Sequence, residues 1–193
     1  MRIIGGRFKG WVLQSPADSE IRPTSDRLRE TIFNILAHAY DDPVTDAAVI
    51  DLFAGTGAMG LEALSRGARK ALFVETSGEA RALIRANVDA LGLGGATRIF
   101  RRDARKLGQA PPGERFSLAF LDPPYGQHLA EAALVALRDG SWLAPRALVV
   151  VEERADAELL VPDLYRTLET RVYGDTKIVI LGARVPSPLA GEG

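Results

Sequence analysis

Asp122, Pro123, Pro124 and Tyr125 stand together at the end of an apolar run, in the string "FSLAFLDPPYG". Proline fixes φ, removes a backbone donor and restricts the residue before it. The tetrad is therefore a stiff loop holding a carboxylate, bare backbone carbonyls and one aromatic face in fixed relation. An exocyclic amine on a nucleobase suits such a loop. Its lone pair is delocalised into the ring and must pyramidalise before it attacks an electrophile. The Asp122 carboxylate and the Pro123 carbonyl can accept its two hydrogens and stabilise the charge developing on nitrogen. Tyr125 offers a stacking face for a base drawn out of its helix or loop. Proline stiffness keeps these groups in attacking geometry.

A second constellation lies upstream. "DLFAGTGAMG" places Gly55, Thr56, Gly57, Ala58, Met59 and Gly60 in the pattern G-x-G-x-x-G, between a strand-like run and a helical one. Glycines there let the backbone approach a ligand, and the following helix offers N–H groups to an anion. Glu75 follows Gly55 at the spacing at which an acid reaches a ribose diol. Two ligands fit this loop alone: the pyrophosphate of NAD, and the carboxylate and amine of the methionine part of S-adenosylmethionine. The Asp122 loop separates them, because hydride transfer has no use for a grip on an NH2 group.

These residues need elements to position them. From Ala47 onward, apolar runs of strand length alternate with helical stretches. The strands are "AAVIDLF" (47–53), "KALFVE" (70–75), "ATRIFR" (96–101), "FSLAFLD" (116–122) and "RALVVVEE" (146–153). Unbroken apolar strands imply burial on both faces, and strict alternation with helices implies a parallel sheet with right-handed crossovers. Asp51 and Asp122 then end the first and fourth strands, on either side of the point where strand order reverses. Two extended runs around Gly174-Asp175 read as a hairpin closing the sheet. Upstream, Arg2–Ile4 and Arg7–Leu13 read as a small β-hairpin, and "RPTSDRLRETIFNILAHAY" as a helix capped by Ser25.

Composition narrows the classes. The chain has 193 residues, 47% hydrophobic and 25% charged, with a net charge of −1. That is a globular composition with no global pull toward nucleic acid. With no cysteine and two histidines, disulfides, thiolate sites and a cysteine nucleophile are excluded, and no metal is expected. No signal peptide or membrane-length apolar stretch is visible, which fits a cytoplasmic protein. Arg2, Arg7, Lys9, Arg22, Arg27 and Arg29 form a local basic cluster suited to RNA phosphates. Phe8 and Trp11 are expected to pack the hairpin against its domain. Glu152 and Glu153, after the fifth strand, read as surface acids.

"DPPY" with "DLFAGTGAMG" resembles the S-adenosylmethionine-dependent amino-methyltransferases. "RIIGG", "RPTSDRLRETIFNIL", "FAGTGAMGLEALSRGA" and "GDTKI" narrow the likeness to the small-subunit ribosomal RNA methyltransferase D family. The resemblance implies a Rossmann-like α/β fold with a seven-stranded, mostly parallel sheet, an antiparallel C-terminal hairpin and a small N-terminal β-hairpin extension. It implies methyl transfer from S-adenosyl-L-methionine to guanine N2 in 16S rRNA, within the small ribosomal subunit or its assembly intermediate, by a monomer. Asp51, Ala54, Gly55, Thr56, Gly57 and Gly60 would line the methionine moiety, and Glu75 would hold the ribose. Asp103, flanked by Ala104, would meet the adenine amino group, and Asp122 to Tyr125 would form the catalytic loop. Thr76-Ser77 departs from the family pattern, which has a second acid there. The expected organisation is an RNA-binding extension over 1–45, a methyltransferase domain over 46–185 and a disordered tail over 186–193. Adenine-N6 methylation and NAD-dependent oxidoreduction are the alternatives.

Overall fold

The computed structural model describes residues 1–17 and 23–184. Arg22 and the tail 186–193 lie outside the described residues. The elements in chain order are α1 (Pro23–Ala39), β1 (Ala48–Leu52), α2 (Ala58–Ser65), β2 (Lys70–Val74), α3 (Gly78–Ala90), β3 (Thr97–Phe100), β4 (Phe116–Leu121), α4 (Leu129–Asp139), β5 (Leu143–Arg154), β6 (Tyr165–Tyr173) and β7 (Thr176–Ala183). The sheet order is β3-β2-β1-β4-β5-β7-β6. Strands β1 to β5 pair in parallel, and β7 runs antiparallel to both β5 and β6. The turn at Gly174-Asp175 joins β6 to β7, with Gly174 at φ +60. The sheet is therefore the mixed one its pattern implied.

Helices cover both faces of the sheet, which is why β1 and β4 carry almost no polar residue. Alternate residues of each strand feed opposite cores. Val49, Phe120 and Val150 join α1, α2 and α3 through Phe33, Leu61 and Ile84. Ile50, Leu121 and Val151 join α4 through Ala133, Leu134 and Leu137, with Trp142 filling the far end. Trp142 is fully buried, stacks on Phe116 at 6.2 Å and donates its indole N–H to the Gly108 carbonyl at 2.8 Å. Helix α1 starts at Pro23 rather than behind Ser25; a first-turn proline loses no intrahelical bond. No helix among the described residues is long and apolar enough to cross a membrane.

The N-terminal segment is less regular than its alternation implied. Arg2 and Val12 form one antiparallel bridge, closed by Ile3 N–H to the Trp11 carbonyl at 2.9 Å, Gly10 N–H to the Ile3 carbonyl at 2.8 Å and Leu13 N–H to the Met1 carbonyl at 3.0 Å, and beyond it residues 4–9 turn rather than pair. The reason is that α2 takes the backbone groups a hairpin would use. The amides of Ile4 and Gly5 donate to Glu62 at 2.9 and 2.8 Å. Those of Arg7 and Phe8 donate to Ser65, at its carbonyl and its hydroxyl. Gly6 sits at φ +75, where a Cβ would lie 1.8 Å from the Ser65 carbonyl oxygen, so only glycine fits. Phe8 packs on the core and lies under Arg7 at 4.5 Å. Trp11 does not pack as expected; it is 44% exposed.

Glu62 is the anchor of this arrangement. It is 0% exposed and also accepts from Arg66 Nε at 2.8 Å and Arg29 Nε at 3.4 Å. Arg29 is thereby removed from the basic surface cluster. It is 3% exposed, paired with Asp26 at 2.9 Å and donating to the Arg2 carbonyl. Glu62→Ala leaves two amides without their acceptor and strips the buried Arg29 Nε of its partner. The expected cost is about 3–5 kcal/mol, read as a lowered midpoint in equilibrium urea unfolding, with Glu62→Gln milder because one acceptor oxygen remains.

Candidate active site

The crevice opens where β1 and β4 part, β1 turning toward β2 and β4 toward β5. At its floor the glycine loop leaves β1. Phe53 takes φ +58, a conformation disfavoured for a bulky residue, and Gly55 and Gly57 follow at φ +56 and +79. This path turns the chain sharply into α2. Gly60 is tight for another reason: a Cβ there would lie 2.4 Å from the Phe73 ring. Its amide donates to Asp51 Oδ2 at 3.0 Å. Asp51 is only 3% exposed, so this structure uses it to hold the first turn of α2. Burial, and then the charge of Glu75, push its carboxyl up to about 8, although the Gly60 bond opposes them.

Glu75, at the end of β2, reaches back across the loop. Its Oε2 accepts from the Gly55 amide at 2.8 Å, and its Oε1 from the Ser77 amide at 2.9 Å. Beside it lies a cavity of about 210 Å³, lined among others by Phe53, Glu75, Arg102, Asp103, Ala104 and Pro124. Four sequence-predicted residues, Glu75, Asp103, Ala104 and Pro124, thus meet at one hollow. Asp103 is gripped by Arg105, whose Nη2 lies 2.6 Å from Asp103 Oδ2. Hydrogen bonding from that guanidinium holds the Asp103 carboxyl below the usual carboxylate range. A larger cavity of about 300 Å³, walled by Gly126, His128, Glu131 and Glu153, touches neither the glycine loop nor Glu75.

The Asp122 loop forms the opposite wall. Pro123 is buried, Pro124 is exposed, and Tyr125 is 40% exposed. The Tyr125 hydroxyl donates to Glu152 Oε1 at 3.1 Å and lies 3.3 Å from Thr176 Oγ1. Glu152 also hydrogen-bonds the Asp122 side chain. It is thus a member of the site and not a surface acid. The pairing of Leu121 with Val151 sets Glu152 of β5 level with Asp122, just past the end of β4, a register that the sequence alone does not display. Glu153, one residue on, is not a surface acid either: it is 4% exposed and accepts from the Arg154 amide.

Desolvation by the crevice walls, then the charges of Glu152 and Asp51, raise the Asp122 carboxyl well above its ordinary range. Asp122 remains open to water at the crevice mouth, so the crowding of negative charge is the firmer of these causes. Desolvation raises Glu152 as well, against the hydrogen bonds it receives. The pair is poised to share a proton. Arg2, Arg7, Lys9 and Arg27 are exposed. The structure does not bring them into the crevice; the N-terminal segment touches it through Met1 Sδ, 3.4 Å from Thr56 Oγ1.

Comparison with known proteins adds to this geometry. The family model described as "Conserved hypothetical protein 95" matches residues 1–182. "Ribosomal RNA small subunit methyltransferase D" of Escherichia coli (strain K12) is 39% identical over 156 residues, covering 81% of this chain and 76% of that protein. The protein of the same name from Haemophilus influenzae is 34% identical over 176 residues, covering 90% of this chain and 89% of its own length. A solved structure from Escherichia coli superposes with a TM-score of 0.81 at 32% identity, covering 96% of this chain and 98% of that one.

The raised Asp51 carboxyl has a consequence for stability. A carboxyl whose pKa rises on folding binds its proton more tightly in the native state. Its contribution is full below the unfolded value, about 3.9, and is lost as pH climbs toward about 8. Asp51→Asn keeps an acceptor for the Gly60 amide and has no proton to lose. In thermal unfolding from about pH 5 to about pH 9, the wild type should fall relative to this variant, by on the order of 1 kcal/mol per pH unit up to the folded pKa. Parallel curves would show that Asp51 is ionised throughout.

Proposed function

The chain belongs to the Conserved hypothetical protein 95 family, that of small-subunit ribosomal RNA methyltransferase D, and on that premise we propose that it methylates the exocyclic N2 of a guanine in 16S rRNA. The observation that carries this reading is the pairing of Asp122 and Glu152 beside Tyr125, one wall away from the hollow between Glu75 and Asp103. An acidic grip on an NH2 group and a recess for a nucleoside face one crevice.

The cofactor is S-adenosylmethionine, and the residues present suit it. The Glu75 carboxylate at the cavity wall can accept from a ribose diol, and Asp103 can accept from an adenine amino group once Arg105 yields. Ala54, Gly55, Thr56, Gly57 and Gly60 bring backbone close to the methionine end, with Asp51 holding the turn beneath. When bound, the cofactor supplies an electrophilic methyl group on a sulfonium. Asp122 and the Pro123 carbonyl orient the guanine amine by accepting its hydrogens. The amine so held would take that methyl as the sulfonium gives up its positive charge, and its surplus proton would pass to the Asp122–Glu152 pair. Pro124 and Tyr125 hold the loop rigid and give the base a face to rest on.

Residues 1–45 serve as the RNA-binding extension, with Arg2, Arg7, Lys9 and Arg27 on phosphates and Arg22 completing the set. A basic surface this small positions RNA without reading it. The substrate is therefore guanine presented on the small subunit or its assembly intermediate in the cytoplasm, met by a monomer. The relatives' shared name supports the small-subunit ribosomal RNA as the substrate.

Asp122→Ala should lower methyl transfer to unmodified small subunits by about 10²–10³-fold. S-adenosylhomocysteine should still raise its melting temperature, and RNA binding should persist. Labelled transfer followed by nucleoside analysis checks the outcome; N6-methyladenosine as the product, or an active variant, would refute the proposal. Because the acceptor must be ionised, the wild-type rate should rise with pH through a value above the ordinary carboxylate range.

A further inference from the structure

We propose that Asp122, Glu152 and Thr176 together read the Watson–Crick edge of guanine, and that Glu152 is the residue that distinguishes guanine from adenine. This inference rests on the amino-methyltransferase reading given above.

The sheet lines these three up. Leu121 pairs with Val151, so Asp122 and Glu152 follow side by side on adjacent strands. On the next strand, Ile178 pairs with Glu152 and Thr176 with Arg154. Residues 150 and 178 belong to the same core, so Glu152 and Thr176 share that face by alternation. The Tyr125 hydroxyl ties the last two, at 3.1 Å to Glu152 and 3.3 Å to Thr176, while Glu152 hydrogen-bonds Asp122. Along this row the side chains offer an acceptor, an acceptor and a hydroxyl able to donate.

Guanine presents the complement. Its edge runs from a 2-amino donor through an N1–H donor to the O6 acceptor. Adenine presents an amino donor beside a bare N1 lone pair. A base whose amine rests on Asp122 turns its neighbouring ring nitrogen toward Glu152. Guanine gives that carboxylate a hydrogen. Adenine sets a lone pair against negative oxygen, a repulsive element of the kind that makes sites selective. The Thr176 hydroxyl then has O6 as its partner in guanine and no partner in adenine. A site built to hydrogen-bond a group rejects an analogue lacking it far more strongly than shape alone could. Positioning Tyr125 would not by itself require a charge at 152, since glutamine also accepts a hydroxyl hydrogen.

The test uses small subunits reassembled on 16S rRNA carrying either guanine or 2-aminopurine at the mapped target. 2-Aminopurine keeps the 2-amino group but has a lone pair at N1 and no oxygen at C6. Wild type should prefer guanine by about 100-fold or more in kcat/KM. Glu152→Gln, whose amide can donate to that lone pair, should lower the guanine rate, raise the 2-aminopurine rate and bring the two within about tenfold. Thr176→Val should weaken guanine alone. A melting shift with S-adenosylhomocysteine confirms that each variant folds and binds. Equal rates on both bases in wild type, or a Glu152→Gln variant that lowers both alike, would overturn the inference. Nucleoside analysis of wild-type product on guanine subunits is scored separately: any product other than N2-methylguanosine refutes the function itself, and this inference with it.

Discussion

Three neighbouring parallel strands meet at one corner, and each brings a carboxyl there. Leu121 pairs with Val151, so Asp122 and Glu152 stand level, while Asp51 pairs with Phe120 and lies two residues below Asp122 on the same face. Like charges at close quarters in a partly dry crevice cannot all ionise. The fold relieves this in two ways. Asp51 is spent on the Gly60 amide, and Glu75 on the amides of Gly55 and Ser77. What stays unrelieved is the Asp122–Glu152 pair, whose field favours cations. A sulfonium and an amine acquiring positive charge are both such species. The electrostatic strain of this corner and its preference for cations have one origin in strand register.

Helix α2 links this corner to the N-terminal segment. Its first turn is fixed by Asp51, and its middle holds residues 4–8 through Glu62 and Ser65. Movement of the exposed cations Arg2, Arg7 and Lys9 is thereby referred to the same rigid rod that ends at the glycine loop. Met1 touching Thr56 closes the circuit. Eight helical residues thus hold both the glycine loop and the segment that carries the exposed cations.

Much of this was legible along the chain. The apolar runs of β1 and β4 had no polar face to offer, so burial on both sides followed. Gly55 and Gly57 required left-handed backbone, and Gly174-Asp175 marked its hairpin. The failures share a cause. Arg29 sat among cations in sequence, yet its partner Glu62 is 33 positions away. Glu152 looked like a surface acid because its meaning comes from alignment with Asp122, which lies on another strand. The glycines of "RIIGG" read as a turn, whereas Gly6 exists for its approach to Ser65. Local propensity predicts local geometry; these three roles are set by distant chain brought close by the sheet.

The dependence of the first residues on Glu62 also orders events in time. Ile4 and Gly5 contact an acid 58 and 57 positions downstream, so when they are synthesised they have nothing to dock against. They must wait until α2 exists and rests on β1 and β2, a closure over a long loop that slows its own formation. This segment is therefore among the last to settle. During that wait Trp11 and the nearby cations sit on a segment that nothing yet holds in place.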